Sequence, residues 1–133
     1  MSSTTGDVIN QSTTRNVTNN STTGYVVNQT DVKLTFRPGS VSHGNDPTIE
    51  TQSLDPGNSA TVFIALSDGA GVEGNVMGAA AGVTFDLYYD NPVAGGNSGK
   101  VTSDNPNYSG ICDVGSGDNN TNKYTLRGKK PSV

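Results

Sequence analysis

Val83-Thr-Phe-Asp-Leu-Tyr-Tyr-Asp90 alternates apolar and polar side chains without a break. Val83, Phe85, Leu87 and Tyr89 fall on one face, and Thr84, Asp86, Tyr88 and Asp90 on the other, which is the period of two that a half-buried strand imposes. Outward from this stretch the same grammar recurs. Asp31-Val-Lys-Leu-Thr-Phe-Arg37 alternates again and ends at Pro38-Gly39, a turn signal. Thr48 to Leu54 reads as a weaker, more polar strand before the Asp55-Pro-Gly-Asn58 turn. Thr61-Val-Phe-Ile-Ala-Leu66 is a near-continuous apolar run of strand length, the mark of a central strand. Asp68 to Gly71 and Gly78 to Gly82 read as loose glycine-rich links, and Asn91 to Asn97 as a turn-rich loop. Short strands are expected near Lys100 to Thr102, Tyr108 to Val114 and Lys123 to Arg127. No segment keeps a 3.6-residue apolar period, so the reading is all-β. Short strands with frequent turns predict an antiparallel β-sandwich, with a closed barrel as the alternative. Val32, Leu34, Phe36, Val62, Ile64, Val83, Phe85 and Leu87 are expected to face inward.

Composition sets the bounds. The 133 residues suit one domain, and only 31% are hydrophobic, with Gly, Asn, Thr and Ser prominent. Residues 1–23 contain only Met1, Val8, Ile9 and Val17 as apolar side chains, too few to offset ordering entropy, so a flexible polar arm is expected there. The sandwich is expected over 24–128, followed by a basic tail at 129–133. The formal net charge is −4, which offers no general attraction to nucleic acid or to acidic lipid, although Lys123, Arg127, Lys129 and Lys130 cluster at the C-terminal end. Met1 to Asp7 shows neither a basic stretch nor an apolar one, so the expectation is synthesis inside the producing cell without a signal peptide. The Asn-x-Ser/Thr triplets are then the chance product of an Asn- and Thr-rich chain.

The supply of catalytic groups is poor. His43 is the only histidine and Cys112 the only cysteine, so neither a disulfide, a Cys-His dyad nor a zinc site is expected. His43 sits in a Ser-His-Gly-Asn-Asp-Pro context that reads as a turn, and Cys112 in a strand-like stretch reads as a buried small side chain. Asp86 and Asp90 share a strand face roughly 13 Å apart by strand rise, beyond the reach of a glycosidase pair. Asp68-Gly-Ala-Gly-Val-Glu73 and Asp113-Val-Gly-Ser-Gly-Asp118 lack the ligand spacing of a calcium loop and read as polar turns. No catalytic residue, metal ligand or cofactor is expected, and the chain is read as a binding protein rather than an enzyme.

Gly82-Val-Thr-Phe-Asp-Leu-Tyr-Tyr-Asp-Asn-Pro-Val-Ala-Gly-Gly-Asn97, with Gly71-Val-Glu-Gly74 upstream, resembles the aegerolysin family. Gly115-Ser-Gly117 and Tyr124-Thr-Leu126 look like the later segments of its bacterial branch, which supplies the smaller component of binary insecticidal crystal toxins. The resemblance implies a β-sandwich that binds membrane lipid and forms pores, with hemolysis, when joined by a larger protein partner. It also implies storage as a crystal inclusion, action on target membranes after release, and scope for homo-oligomers. It points to Tyr88, Tyr89, Asp90, Asn91, Pro92 and Asn97 as the membrane- or ligand-binding residues. Fungal members place tryptophans here, whereas this chain has none. Tyrosine rings still suit a membrane interface. Two other readings compete: a carbohydrate-binding module, because sandwich loops rich in Asn, Asp and Tyr hold sugars, and a passive crystal-forming protein.

Overall fold

The computed structural model describes residues 20–128. Ten strands make two five-stranded sheets packed face to face. In chain order they are β1 (Ser21–Gln29), β2 (Leu34–His43), β3 (Thr48–Ile49), β4 (Ser53–Leu54), β5 (Ser59–Leu66), β6 (Val72–Ala80), β7 (Val83–Asn91), β8 (Ser98–Ser103), β9 (Tyr108–Asp113) and β10 (Asn119–Gly128). One sheet runs β3-β5-β1-β10-β9 and the other β4-β2-β6-β7-β8. The architecture is a β-sandwich, not a closed barrel. Its pairings are antiparallel except between β1 and β10, which run parallel from Ser21 opposite Asn119 to Gln29 opposite Arg127.

Strand β7 keeps its alternation throughout: Val83, Phe85, Leu87 and Tyr89 are buried and the residues between them half-buried. Val26, Phe63, Tyr124 and Leu126 meet them from the other sheet. Phe63 stacks obliquely on Tyr89 with ring centroids 5.2 Å apart, and Phe85 meets Tyr108 edge-on at 6.0 Å. Offset and edge-on contacts of this kind join the two layers.

Several expectations need correction. Ser21 to Thr23, read as the end of a polar arm, belong to strand β1, and Thr22 and the preceding Asn20 are buried. The rest of that expected arm, 1–19, and the expected tail at 129–133 lie outside the described residues. Pro38-Gly39 does not end a strand, because β2 continues through a register shift between Pro38 and Val41 to His43. His43 is thus a strand end rather than a turn residue. Thr48 to Leu54 is two separate two-residue strands, one in each sheet. In β5, Gly24 opposes Phe63 while Tyr25 opposes Thr61, which leaves Val62 as the extra residue of a bulge. The bulge buries both Val62 and Phe63, so Phe63 and Ala65 occupy the core where Ile64 was expected, and Ile64 is only half-buried. Strand β5 also has just the two-residue β3 on its outer side, so it is less central than its apolar run suggests.

Val72–Ala80, which the sequence reading left without a strand, is the centre of the second sheet. Its inward positions are Val72, Gly74, Val76 and Gly78. A β-carbon on Gly78 would lie 2.8 Å from the Phe36 ring, and one on Gly74 would lie 2.7 Å from the Tyr89 hydroxyl. Phe36 and Tyr89 are the cross-strand partners of those glycines. The missing side chains are the space into which neighbouring rings fold, a use of glycine that breaks the apolar period without breaking the strand.

Candidate functional site

The two segments that carry the sequence resemblance are neighbours in space. Strand β6 pairs with β7 so that Glu73 opposes Asp90 and Gly74 opposes Tyr89. The Tyr88 hydroxyl donates to Glu73 Oε2 at 2.5 Å, and Lys100 Nζ stands 5.6 Å from the centre of the Tyr88 ring. His43 Nε2 lies 3.8 Å from Glu73 Oε1. Tyr88 and Asp90 therefore sit on the outer face of the second sheet, half-buried, in a small charged patch. The hydrogen bond to Glu73, with some burial and the charge of Asp90, holds the Tyr88 phenol well above its ordinary range. Burial raises the Asp90 carboxyl as well; the nearby Glu73 adds to this and His43 works against it.

The other expected site residues play different parts. Tyr89 is fully buried, its phenol pushed up to about 12 by desolvation and then by the charge of Asp46. It cannot offer its ring at a surface, because the alternation of β7 turns it into the core. Asn91 is also buried. Its amide donates to the carbonyls of Ser21 and Asp118, at 3.0 and 2.8 Å, and its Oδ1 accepts from Asn20 at 3.0 Å. Pro92 is half-buried, and its carbonyl accepts from Asn20. The Asn97 amide donates to the carbonyls of Gly115 and Gly117, at 3.1 and 2.9 Å. Asn91 and Asn97 are thus ties. They lash the β7–β8 loop to the β9–β10 loop and to the start of β1.

Beneath them lies a polar network that sequence reasoning missed. Asn120 accepts from Thr22 at 2.6 Å and donates to Gly115 and Asn122, while Asn122 donates to the Tyr124 hydroxyl, which donates to the Tyr88 carbonyl at 2.7 Å. Asparagine reads as surface polarity in a sequence, so the only signal for burial was the alternation of Asn120, Asn122 and Tyr124 along β10.

The tied loops enclose a cleft of about 320 Å³. Pro92, Val93, Gly95, Gly96 and Asn97 form one wall, and Val114 to Asp118 the other. Val93 is 51% exposed and Val114 39%. Leu66, at the end of β5, is 53% exposed and belongs to the same end, since its carbonyl accepts from Asn45 beside Gly44, which in turn packs on Val72 and Gly71. Among the described residues, three of the four exposed large apolar side chains thus lie at one end of the sandwich, the fourth being Ile111. The loops there, 44–47, 67–71, 92–97 and 114–118, carry Asp46, Asp68 and Asp118 and no Lys or Arg.

Fold and site together define a β-sandwich with an apolar-rimmed cleft between loops at one end. No family model and no curated protein sequence matches the chain. Among solved structures it is similar to that of the lipid binding protein Nakanori, with a TM-score of 0.66 at 15% identity over 81% of this chain and 71% of that one. It is also similar to the RahU protein, solved in complex with a TRIS molecule, with a TM-score of 0.63 at 14% identity over 85% of this chain and 98% of that one.

Proposed function

We propose that this chain is a non-enzymatic membrane-attaching protein of the aegerolysin type, which docks on a lipid surface through the loop end bearing Leu66, Val93 and Val114. The observation that carries this reading is the placing of exposed Val93 and Val114 on a cleft whose walls are tied by Asn91 and Asn97, with exposed Leu66 at the same end of the sandwich. Apolar side chains on pre-ordered loops enter a bilayer interface without a further ordering cost. The sandwich it shares with a protein described as lipid-binding supports the same reading.

Magnitudes favour weak attachment by the chain alone. Each of the three side chains has about half its surface left to bury, on the order of 1 kcal/mol apiece. Their sum, about 3 kcal/mol, falls short even of the ~4 kcal/mol of a millimolar complex. The acidic loops add no pull toward anionic lipid. Strong activity therefore calls for a second contribution. In the toxin reading it comes from a larger partner that completes a pore once the small component has reached the target membrane.

Co-sedimentation with lipid vesicles tests attachment. Val93→Asp with Val114→Asp should abolish pelleting while the melting temperature stays near that of the parent, and unchanged pelleting would refute the assignment of this end. Dye release tests the toxin reading: the protein alone should leak vesicles weakly, and efficient lysis without a partner would overturn the two-component scheme.

A further inference from the structure

Resting on that membrane reading, we propose that the cleft between the 92–97 and 114–118 loops holds a neutral, hydroxyl-rich group, the sugar of a glycolipid headgroup. The lining chemistry makes the selection. Among the described residues no Lys, Arg or His borders the cleft. A phosphate would lack the cationic donors that such groups need and would meet the carboxylate of Asp118 instead. Asp118 is exposed and makes no side-chain hydrogen bond or ion pair among the described residues, so its oxygens are open to accept from vicinal hydroxyls. The Ser116 hydroxyl lies beside it on the same wall.

Val93 and Val114 supply what a sugar's C–H faces pack against, and the glycines at 95, 96, 115 and 117 let a ring approach the backbone closely. The Asn91 and Asn97 amides are spent on holding the walls, so ligand contact falls to Asp118, Ser116 and the loop backbones. The cleft volume of about 320 Å³ lies at the small end of ligand sites, fit for a single sugar unit rather than an extended chain. A sugar headgroup would also supply the affinity that the three apolar side chains lack.

Two variants test this without touching the core. Asp118→Asn keeps the shape and removes the charged acceptor. Gly96→Phe adds a bulky ring to the cleft wall at little cost to the fold, since a β-carbon placed on Gly96 would meet no atom within 4 Å and the backbone there lacks the positive φ that would strain a side chain. Binding is measured by co-sedimentation with vesicles of phosphatidylcholine alone, with added neutral monoglycosylceramide, and with added phosphatidylserine, with free methyl glycosides as competitors. The glycolipid vesicles should bind best, the soluble glycosides should compete, and either variant should weaken glycolipid binding about tenfold or more, the effect of losing a charge-assisted hydrogen bond. Equal binding to all three vesicles, without competition, would overturn the sugar assignment and leave membrane attachment standing. Stronger binding to phosphatidylserine would overturn it as well. Binding of free glycosides but of no vesicle would overturn the membrane reading on which the headgroup assignment rests.

Discussion

At the scale of single residues, strand β7 separates the core from the outer face by alternation alone. Phe85 is buried against Tyr108, whereas Tyr88 lies outside with Glu73 and Lys100. Phe85→Ala should cost about 3–5 kcal/mol in a denaturant titration, the usual loss on emptying an aromatic core site. Tyr88→Ala should cost about 1 kcal/mol, the worth of a surface cation–π contact and one hydrogen bond, and should leave the fold intact for binding assays. Asp90 gives a pH signature. Its carboxyl is raised in the folded state, first by desolvation and then by Glu73, so the folded protein holds the proton more tightly than the unfolded chain. Stability from this group is therefore greatest at low pH and declines as pH rises through the carboxylate range, from about pH 4 upward. Asp90→Asn should flatten that decline and raise the melting temperature at neutral pH, and a lower melting temperature there would reverse the sign. Burial pushes the Cys112 thiol up to about 11, so it should react slowly with thiol reagents at neutral pH until the protein is denatured.

At the scale of strands and loops, legibility followed what fills the inward positions. Strand β7 could be read because Val, Phe, Leu and Tyr fill them, and the sandwich class followed from it. Strand β6 could not, because Gly74 and Gly78 stand where apolar side chains would have marked the period, and the filling comes from Tyr89 and Phe36 next door. Gly78→Ala should therefore destabilise by about 1–3 kcal/mol through overpacking, and Phe36→Leu should recover part of the loss, a coupling that a double-mutant cycle measures. Strand β5 misled for another reason: the bulge at Val62 changes which side chains face inward, and no residue type announced it. The candidate site was half legible. The 91–97 loop was singled out, but its buried Asn91 looks like any surface asparagine until Asn20 and Asn120 come up beneath it. Asn91→Ala removes the side-chain donor to the Ser21 and Asp118 carbonyls, the latter keeping the Ser21 N–H, and takes the acceptor from the buried Asn20 amide, so it should cost about 1–3 kcal/mol. Hydrogen exchange should then quicken in both the 92–97 and 114–118 loops, whereas a mutation that merely trimmed one loop would change only that loop.

At the scale of the molecule, the sandwich is asymmetric from end to end: both ends carry aspartates, but the exposed apolar tips Leu66, Val93 and Val114 stand at the cleft end, and Lys33 and Arg127 lie toward the other. Attachment through the cleft end would leave the opposite end facing solution, where a partner protein or another copy can reach it. If the cleft end docks as proposed, weak sensitivity of vesicle binding to salt is expected, since its described loops carry no Lys or Arg; a steep loss with added salt would place the contact elsewhere. The side-by-side course of β1 and β10 also governs when the protein can exist. Thr22 and its partner Asn120 are 98 residues apart in sequence, and almost the whole domain must leave the ribosome before they meet. Contacts of such long range close late and slowly. A chain stopped at Gly117 should stay unfolded, collecting in the pellet rather than appearing as a smaller folded species. Asn120 lies on that last strand and supports both loops of the cleft. On the proposed reading, folding and membrane attachment are thus acquired in one step, and a nascent chain still on the ribosome would have no finished surface with which to seize a membrane.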